Sequence, residues 1–158
     1  MILTTIDLQP AISPMTVQQI QIEQKPNKLK YLQNYYPAKY KNAPMSSLVD
    51  KYGMNNRQCT SYAAFKVDQI WHYRILYWGD AKQWPYYAKK AGVKTGTKPK
   101  LHSVAISTKG KYGHAMFVER ISGNRTYMRV SEYNGIKKGK YSTRLVSTKN
   151  LIYIYFKR

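Results

Sequence analysis

His114-Ala-Met-Phe-Val-Glu-Arg-Ile-Ser-Gly-Asn-Arg-Thr-Tyr-Met-Arg-Val-Ser-Glu-Tyr-Asn134 is the stretch that decides the fold. His114 to Ile121 and Thr126 to Asn134 are rich in the β-branched, aromatic and aliphatic residues that suit a half-buried pleated surface. Between them Ser122-Gly123-Asn124-Arg125 reads as a hairpin turn. A turn centred there makes paired residue numbers sum to about 247, so His114 faces roughly residue 133. Glu132 and Asn134 are two apart and share one face of their strand. The hairpin therefore predicts an imidazole beside a carboxylate or an amide.

Outward from the hairpin, Val104-Ala-Ile106, Arg144-Leu-Val146 and Leu151 to Phe156 read as further strands, and Gly135 to Tyr141 as a basic loop. Upstream the period changes. Cys59, Tyr62, Ala63, Val67, Ile70 and Trp71 recur at helical spacing, and that helix should end near His72 or Arg74. Ala81 to Ala91 fits a second helix closed by Gly92, and Met45 to Tyr52 a short one capped by Ser46 or Ser47 and ended by Gly53. Helices first and an antiparallel meander after them define an α+β domain over residues 45–158. Residues 1–44, with Pro10, Pro14, Pro26, Pro37 and Pro44 and no sustained period, are expected to be an N-terminal arm or linker, with a short helix possible at 16–24. The competing reading packs this segment on the domain through Tyr31, Tyr35 and Tyr36.

The chain has 158 residues, with 27 Lys plus Arg against 7 Asp plus Glu, a net charge of +20. Such a charge favours polyanionic surroundings: nucleic acid, anionic lipid or an anionic cell wall. No apolar run reaches the roughly 20 residues of a membrane span. The first basic residue is Lys25, so no signal with a charged n-region is visible. One cysteine excludes an intrachain disulfide and a multi-cysteine zinc site. His72, His102 and His114 lack close ligand spacing, and no clustered acids suit calcium. The expectation is a metal-free protein without a cofactor.

Cys59 stands at the start of its helix, where free N–H groups and the partial positive charge of the helix end favour thiolate over thiol. A nucleophilic cysteine needs that placement and a nearby base. His72 lies 13 residues further along the helix, about 20 Å away, and cannot reach the thiol. His114, after Gly113, is the preferred base, with His102 as competitor. Past position 80 only Glu119 and Glu132 remain as acids, which singles out Glu132 as the group that would fix the tautomer of His114.

These residues fall in an ordered set: Gln58-Cys59-Thr60-Ser61-Tyr62, Trp78-Gly79-Asp80-Ala81 with Trp84, Pro99, Val104-Ala-Ile106, Gly113-His114-Ala-Met116, Val130-Ser-Glu-Tyr-Asn134 and Tyr141-Ser-Thr-Arg144. The set resembles the CHAP domain, the cysteine- and histidine-dependent amidohydrolase/peptidase of bacterial wall hydrolases and phage endolysins, over about Asn56 to Tyr155. The resemblance implies a papain-like fold and thiol-dependent cleavage of an amide bond in peptidoglycan, by an N-acetylmuramoyl-L-alanine amidase or an endopeptidase. It implies Cys59 as nucleophile, His114 as base, Glu132 as the third residue and Asn134 as an auxiliary. Trp-Gly-Asn-Ala is the usual form where this chain has Trp78-Gly79-Asp80-Ala81, the usual Gly before the apolar strand is His102, and the acidic calcium loop of some relatives is not present.

The expected oxyanion donors are the backbone N–H of Cys59 and the side chain of Gln58, with Trp78 and Trp84 as groove walls beside substrate. Expected partners are peptidoglycan and anionic wall polymers, the expected location extracellular or in the cell wall, and the expected state a monomer. Two other readings compete. A basic nucleic-acid-binding protein finds support in Lys137-Lys138-Gly139-Lys140 and the interleaved tyrosines, but no usual nucleic-acid motif accompanies them. A catalytically inactive wall-binding domain of the same fold is opposed by the intact Cys59, His114 and Glu132.

Overall fold

The computed structural model describes residues 33–157. The chain runs through α1 (Ala38–Asn42), α2 (Cys59–Trp71), a 3-10 turn (Ala81–Gln83) and α3 (Trp84–Lys90). It then enters β1 (Lys94–Gly96), β2 (Val104–Ser107), β3 (His114–Ile121), β4 (Tyr127–Tyr133), β5 (Tyr141–Ser147) and β6 (Ile152–Tyr155). The six strands form one sheet in the order β1-β6-β2-β3-β4-β5, and every pairing is antiparallel. This is the expected α+β architecture of helices followed by a meander.

The register places the site. Phe117 pairs with Ser131 and Val118 with Val130, and the pairing then slips by one, so that Arg120 faces Arg129 across a β-bulge. The pair sum before the bulge is 248, one step from the expected value, and Glu132 remains on the His114 face of the hairpin. On the opposite face Ala115 and Phe117 pack against α2, whose Tyr62, Ala63, Ala64, Phe65 and Val67 are buried. A second apolar group, Met116, Val118, Met128, Val130 and Tyr153, occupies the other side of the sheet.

α2 ends where His72 adopts a left-handed conformation and returns its N–H to Asp68 O. Two expectations are corrected. Met45 to Tyr52 is not a helix but a run of turns closed by a bridge between Val49 and Asn55. The reason is local competition: the Asp50 carboxylate accepts the N–H groups of Tyr52 and Met54, both at 2.9 Å, and the Asn56 amide oxygen accepts that of Leu48 at 2.9 Å. The second helix begins as a 3-10 turn, and a three-residue strand, β1, follows it where no strand was expected.

The possible helix at 16–24, and Tyr31, lie outside the described residues. Tyr36 is buried, with ring contacts to Tyr62, Phe65 and Tyr133 at 5.2–6.0 Å. Its hydroxyl meets Ser61 Oγ at 2.5 Å, and Ser61 in turn donates to Asp50. Tyr35 is exposed.

Candidate active site

Cys59 is the first residue of α2 and His114 the first residue of β3, and both line one cleft of about 720 Å³. Gly113 brings the strand in. It has φ +70°, and a Cβ there would sit 2.7 Å from Ser107 O and 2.8 Å from Lys82 N. Only glycine fits this approach.

The His114 Nε2–H donates to Glu132 Oε2 at 2.6 Å. With Nε2 so engaged, Nδ1 is the ring nitrogen left for Cys59, which lines the same cleft. Burial alone would lower the His114 pKa. The hydrogen bonds to Cys59 and Glu132, with the charges of both, overturn that and raise it to about 9. Glu132 has no exposed surface. Burial would raise its pKa, but the bonds from His114 and Arg144 reverse the effect and hold it below the ordinary carboxylate value. Arg144 Nε donates to Glu132 Oε1 at 2.5 Å, and its Nη2 reaches Oε2 at 3.4 Å. Gly135 lies directly over this carboxylate, and a side chain there would collide with it.

Asn134 reaches the cleft without bonding to His114. Its Nδ2 donates to Gln58 Oε1 at 2.7 Å, and its Oδ1 accepts the Gly139 N–H. Gln58 Nε2 uses one hydrogen on Ser46 Oγ at 2.8 Å, which leaves the second for the cleft that Gln58 lines. Asn134 therefore braces Gln58.

The two tryptophans are corrected. Trp84 is fully buried and Trp78 nearly so, packed edge to face at 5.7 Å, and neither lines the cleft. Their rings fill the core because Ala81 and Phe156 close around them. Trp84 acts at one remove, since its Nε1–H donates at 3.2 Å to the carbonyl of Gly79, a residue of the cleft wall. His102 is also away from the thiol. It stacks on Phe117 at 5.9 Å, and its carbonyl accepts the Trp71 indole N–H at 2.8 Å.

Sequence reasoning missed two residues. Arg144 is brought to Glu132 by the β4–β5 register, which pairs it with Val130. Arg57 bonds Gly139 O at 2.8 Å and Ala43 O at 3.0 Å, anchoring the basic loop whose Lys138 lines the cleft. The sequence carried no signal for the Arg144 contact, because the basic loop before β5 does not fix the β4–β5 register.

A six-stranded antiparallel sheet with a cysteine-bearing helix on one face, and a histidine and carboxylate on the adjacent hairpin, defines a papain-like α+β domain. The CHAP domain matches residues 49–134, and the chain belongs to this family. Among its relatives are a probable autolysin, SsaALP, of Staphylococcus aureus, 36% identical over 77 residues, and the staphylococcal secretory antigen ssaA2 of the same organism, 34% identical over 91. These matches cover 49% and 57% of this chain but 29% and 33% of the relatives, so the chain spans about a third of their length. The crystal structure of an N-acetylmuramoyl-L-alanine amidase from Staphylococcus aureus superposes with a TM-score of 0.62 at 26% identity, over 73% of this chain and 35% of that one.

Proposed function

We propose that this protein is a thiol-dependent peptidoglycan hydrolase in which Cys59 is the nucleophile, His114 the acid–base and Glu132 its orienting carboxylate. The observation that carries the reading is the cleft in which Cys59, at a helix start, shares the wall with a histidine held from behind by a fully buried glutamate. A raised His114 pKa keeps the imidazole protonated at neutral pH, the partner a thiolate requires.

In the first step the Cys59 sulfur attacks the carbonyl carbon of a wall amide. The C–N bond breaks, and His114 delivers its proton to the departing amine, leaving a thioester on Cys59. Water then attacks the thioester while His114 takes a proton from it. The carboxylic acid leaves, and the thiolate–imidazolium pair is restored. The backbone N–H of Cys59 and the free hydrogen of Gln58 Nε2 are the groups that face the developing oxyanion. Trp78 and Trp84 take no direct part.

The bond assigned is the amide between muramic acid and L-alanine, the reaction named for the amidase neighbour. The protein works outside the cytoplasm, where this substrate lies. No helix among the described residues is long and apolar enough to cross a membrane.

The test is digestion of purified sacculi followed by mass spectrometry of the released muropeptides. Wild-type protein should release peptides with a new L-alanine N-terminus, and Cys59→Ala, folded by circular dichroism, should release none. Lysis by Cys59→Ala overturns the thiol assignment. New N-termini inside the peptide replace the amidase reading with an endopeptidase.

A further inference from the structure

A second concavity, of about 700 Å³, lies at the other end of the sheet, among the loop after β1, the β3–β4 turn and the β5–β6 loop. His114 and Asn134 sit at the opposite end of the same hairpin. The eight residues of β3 separate the two clefts by roughly 25 Å. The floor is apolar, made by Pro99, Leu151 and Ile152, and the rim carries Lys98, Arg125 and Lys149. Three of its nine lining residues are basic, against 27 of 158 in the chain, and none is acidic.

The walls are held before any ligand arrives. Arg125 Nη2 donates to Pro99 O at 2.6 Å, which turns the guanidinium along the rim and leaves its other N–H groups free of that bond. Tyr155 OH donates to Lys98 O at 2.7 Å, and Lys100 Nζ lies 4.4 Å from the Tyr155 ring centre, so the loop after β1 is pinned to β6. Thr148 Oγ1 donates to Arg125 O at 2.8 Å, and Tyr153 OH to Thr148 O at 2.9 Å, tying the β5–β6 loop to the hairpin turn.

We propose that this concavity is a non-catalytic binding site for a phosphodiester polymer with a polyol or sugar backbone, lying apart from the catalytic cleft and holding the protein on its substrate surface. A guanidinium and two ammonium groups around an apolar floor suit alternating phosphates and carbon backbone: the cations take the charge and the floor takes the CH groups. The biological role rests on the wall-hydrolase reading, and the site itself does not.

The experiment measures binding of a synthetic poly(glycerol phosphate) chain at fixed salt, in a Cys59→Ala background so that catalysis cannot affect it. The variant Lys98→Glu/Arg125→Glu/Lys149→Glu is compared with the exposed control Lys39→Glu/Lys89→Glu/Lys90→Glu. Each lowers the charge by six, from +20 to 20 − 6 = +14. The site variant should bind at least about tenfold more weakly and the control within about twofold of the parent. The milder Lys98→Gln/Lys149→Gln, which leaves the Arg125 tether intact, should show an intermediate loss. Equal losses in both charge-matched variants would mean that affinity follows net charge, and the site falls. Equal affinity for polyglutamate of matched charge would overturn the phosphodiester assignment. Failure of Cys59→Ala to abolish sacculus lysis would refute the catalytic reading while leaving these binding results standing.

Discussion

At the scale of single residues the site turns on a carboxylate that water does not reach. A buried Glu132 with a neutral neighbour would take up a proton, because the interior disfavours its charge. His114 is an intermittent cation, since it must give up its proton during turnover. Arg144 is a permanent one, bonded to both carboxylate oxygens. It keeps Glu132 ionised in both states of His114, and so keeps the imidazole basic enough to hold its proton. Arg144→Gln should lower kcat/KM by roughly tenfold to hundredfold, about 1.4 kcal/mol per factor of ten. The alkaline limb of activity, set in the wild type by a His114 pKa of about 9, should move toward neutrality. Arg144→Lys should retain part of both. Alkylation of Cys59 with iodoacetamide reads the same limb without substrate, and it reports one site because the chain has one cysteine. An unchanged limb in Arg144→Gln would show that Arg144 only fills space.

At the scale of elements, the hairpin was legible because turn chemistry and strand alternation agree on one register. The Glu132 and His114 neighbourhood followed from it even with the sum off by one, since a histidine lies within reach of its directly opposed and diagonal partners alike. Arg144 was not legible. Its strand joins β4 through a basic loop rather than a tight turn, and only a tight turn fixes register from sequence. The Met45 to Tyr52 segment misled for a different reason: Asp50 and Asn56 bond backbone groups that a helix would otherwise use. Trp78 and Trp84 misled because aromatic residues near a motif serve packing as readily as binding. Gly113, by contrast, carries a requirement written in both sequence and geometry. Gly113→Ala adds a methyl against two backbone atoms at a positive φ. It should cost about 1–3 kcal/mol and displace His114 from Cys59. Thermal unfolding reads the first effect, and the rate of Cys59 alkylation at neutral pH the second. Wild-type values of both would show that the β2–β3 connection relaxes freely.

At the scale of the whole molecule, the ion pairs among the described residues include those of Lys51, Lys66 and Arg144, three of the 27 lysines and arginines, and that of His114. Most of the +20 charge is self-repulsive surface, which opposes compactness and attracts polyanions. Salt acts on both through one screening length, about 30 Å at 0.01 M and about 10 Å at 0.1 M. Screening relieves repulsion within the fold, so Tm should rise by a few degrees as sodium chloride goes from 10 to about 150 mM at pH 7, while binding to anionic walls weakens over the same range. Acid adds a second trend of fixed sign. The Glu132 pKa is lowered by folding, so its contribution is present above the ordinary carboxylate value and lost as pH falls through the folded one. The His114 pKa is raised, so its contribution is complete below 6.5 and lost as pH rises through about 9. Stability should therefore peak between about pH 5 and 6.5, with Glu132→Gln flattening both flanks. Differential scanning fluorimetry over pH and salt, set beside co-sedimentation with walls, measures these slopes together. A Tm that falls with added salt at pH 7 would mean that local ion pairs, rather than net repulsion, dominate the charge energetics of this domain.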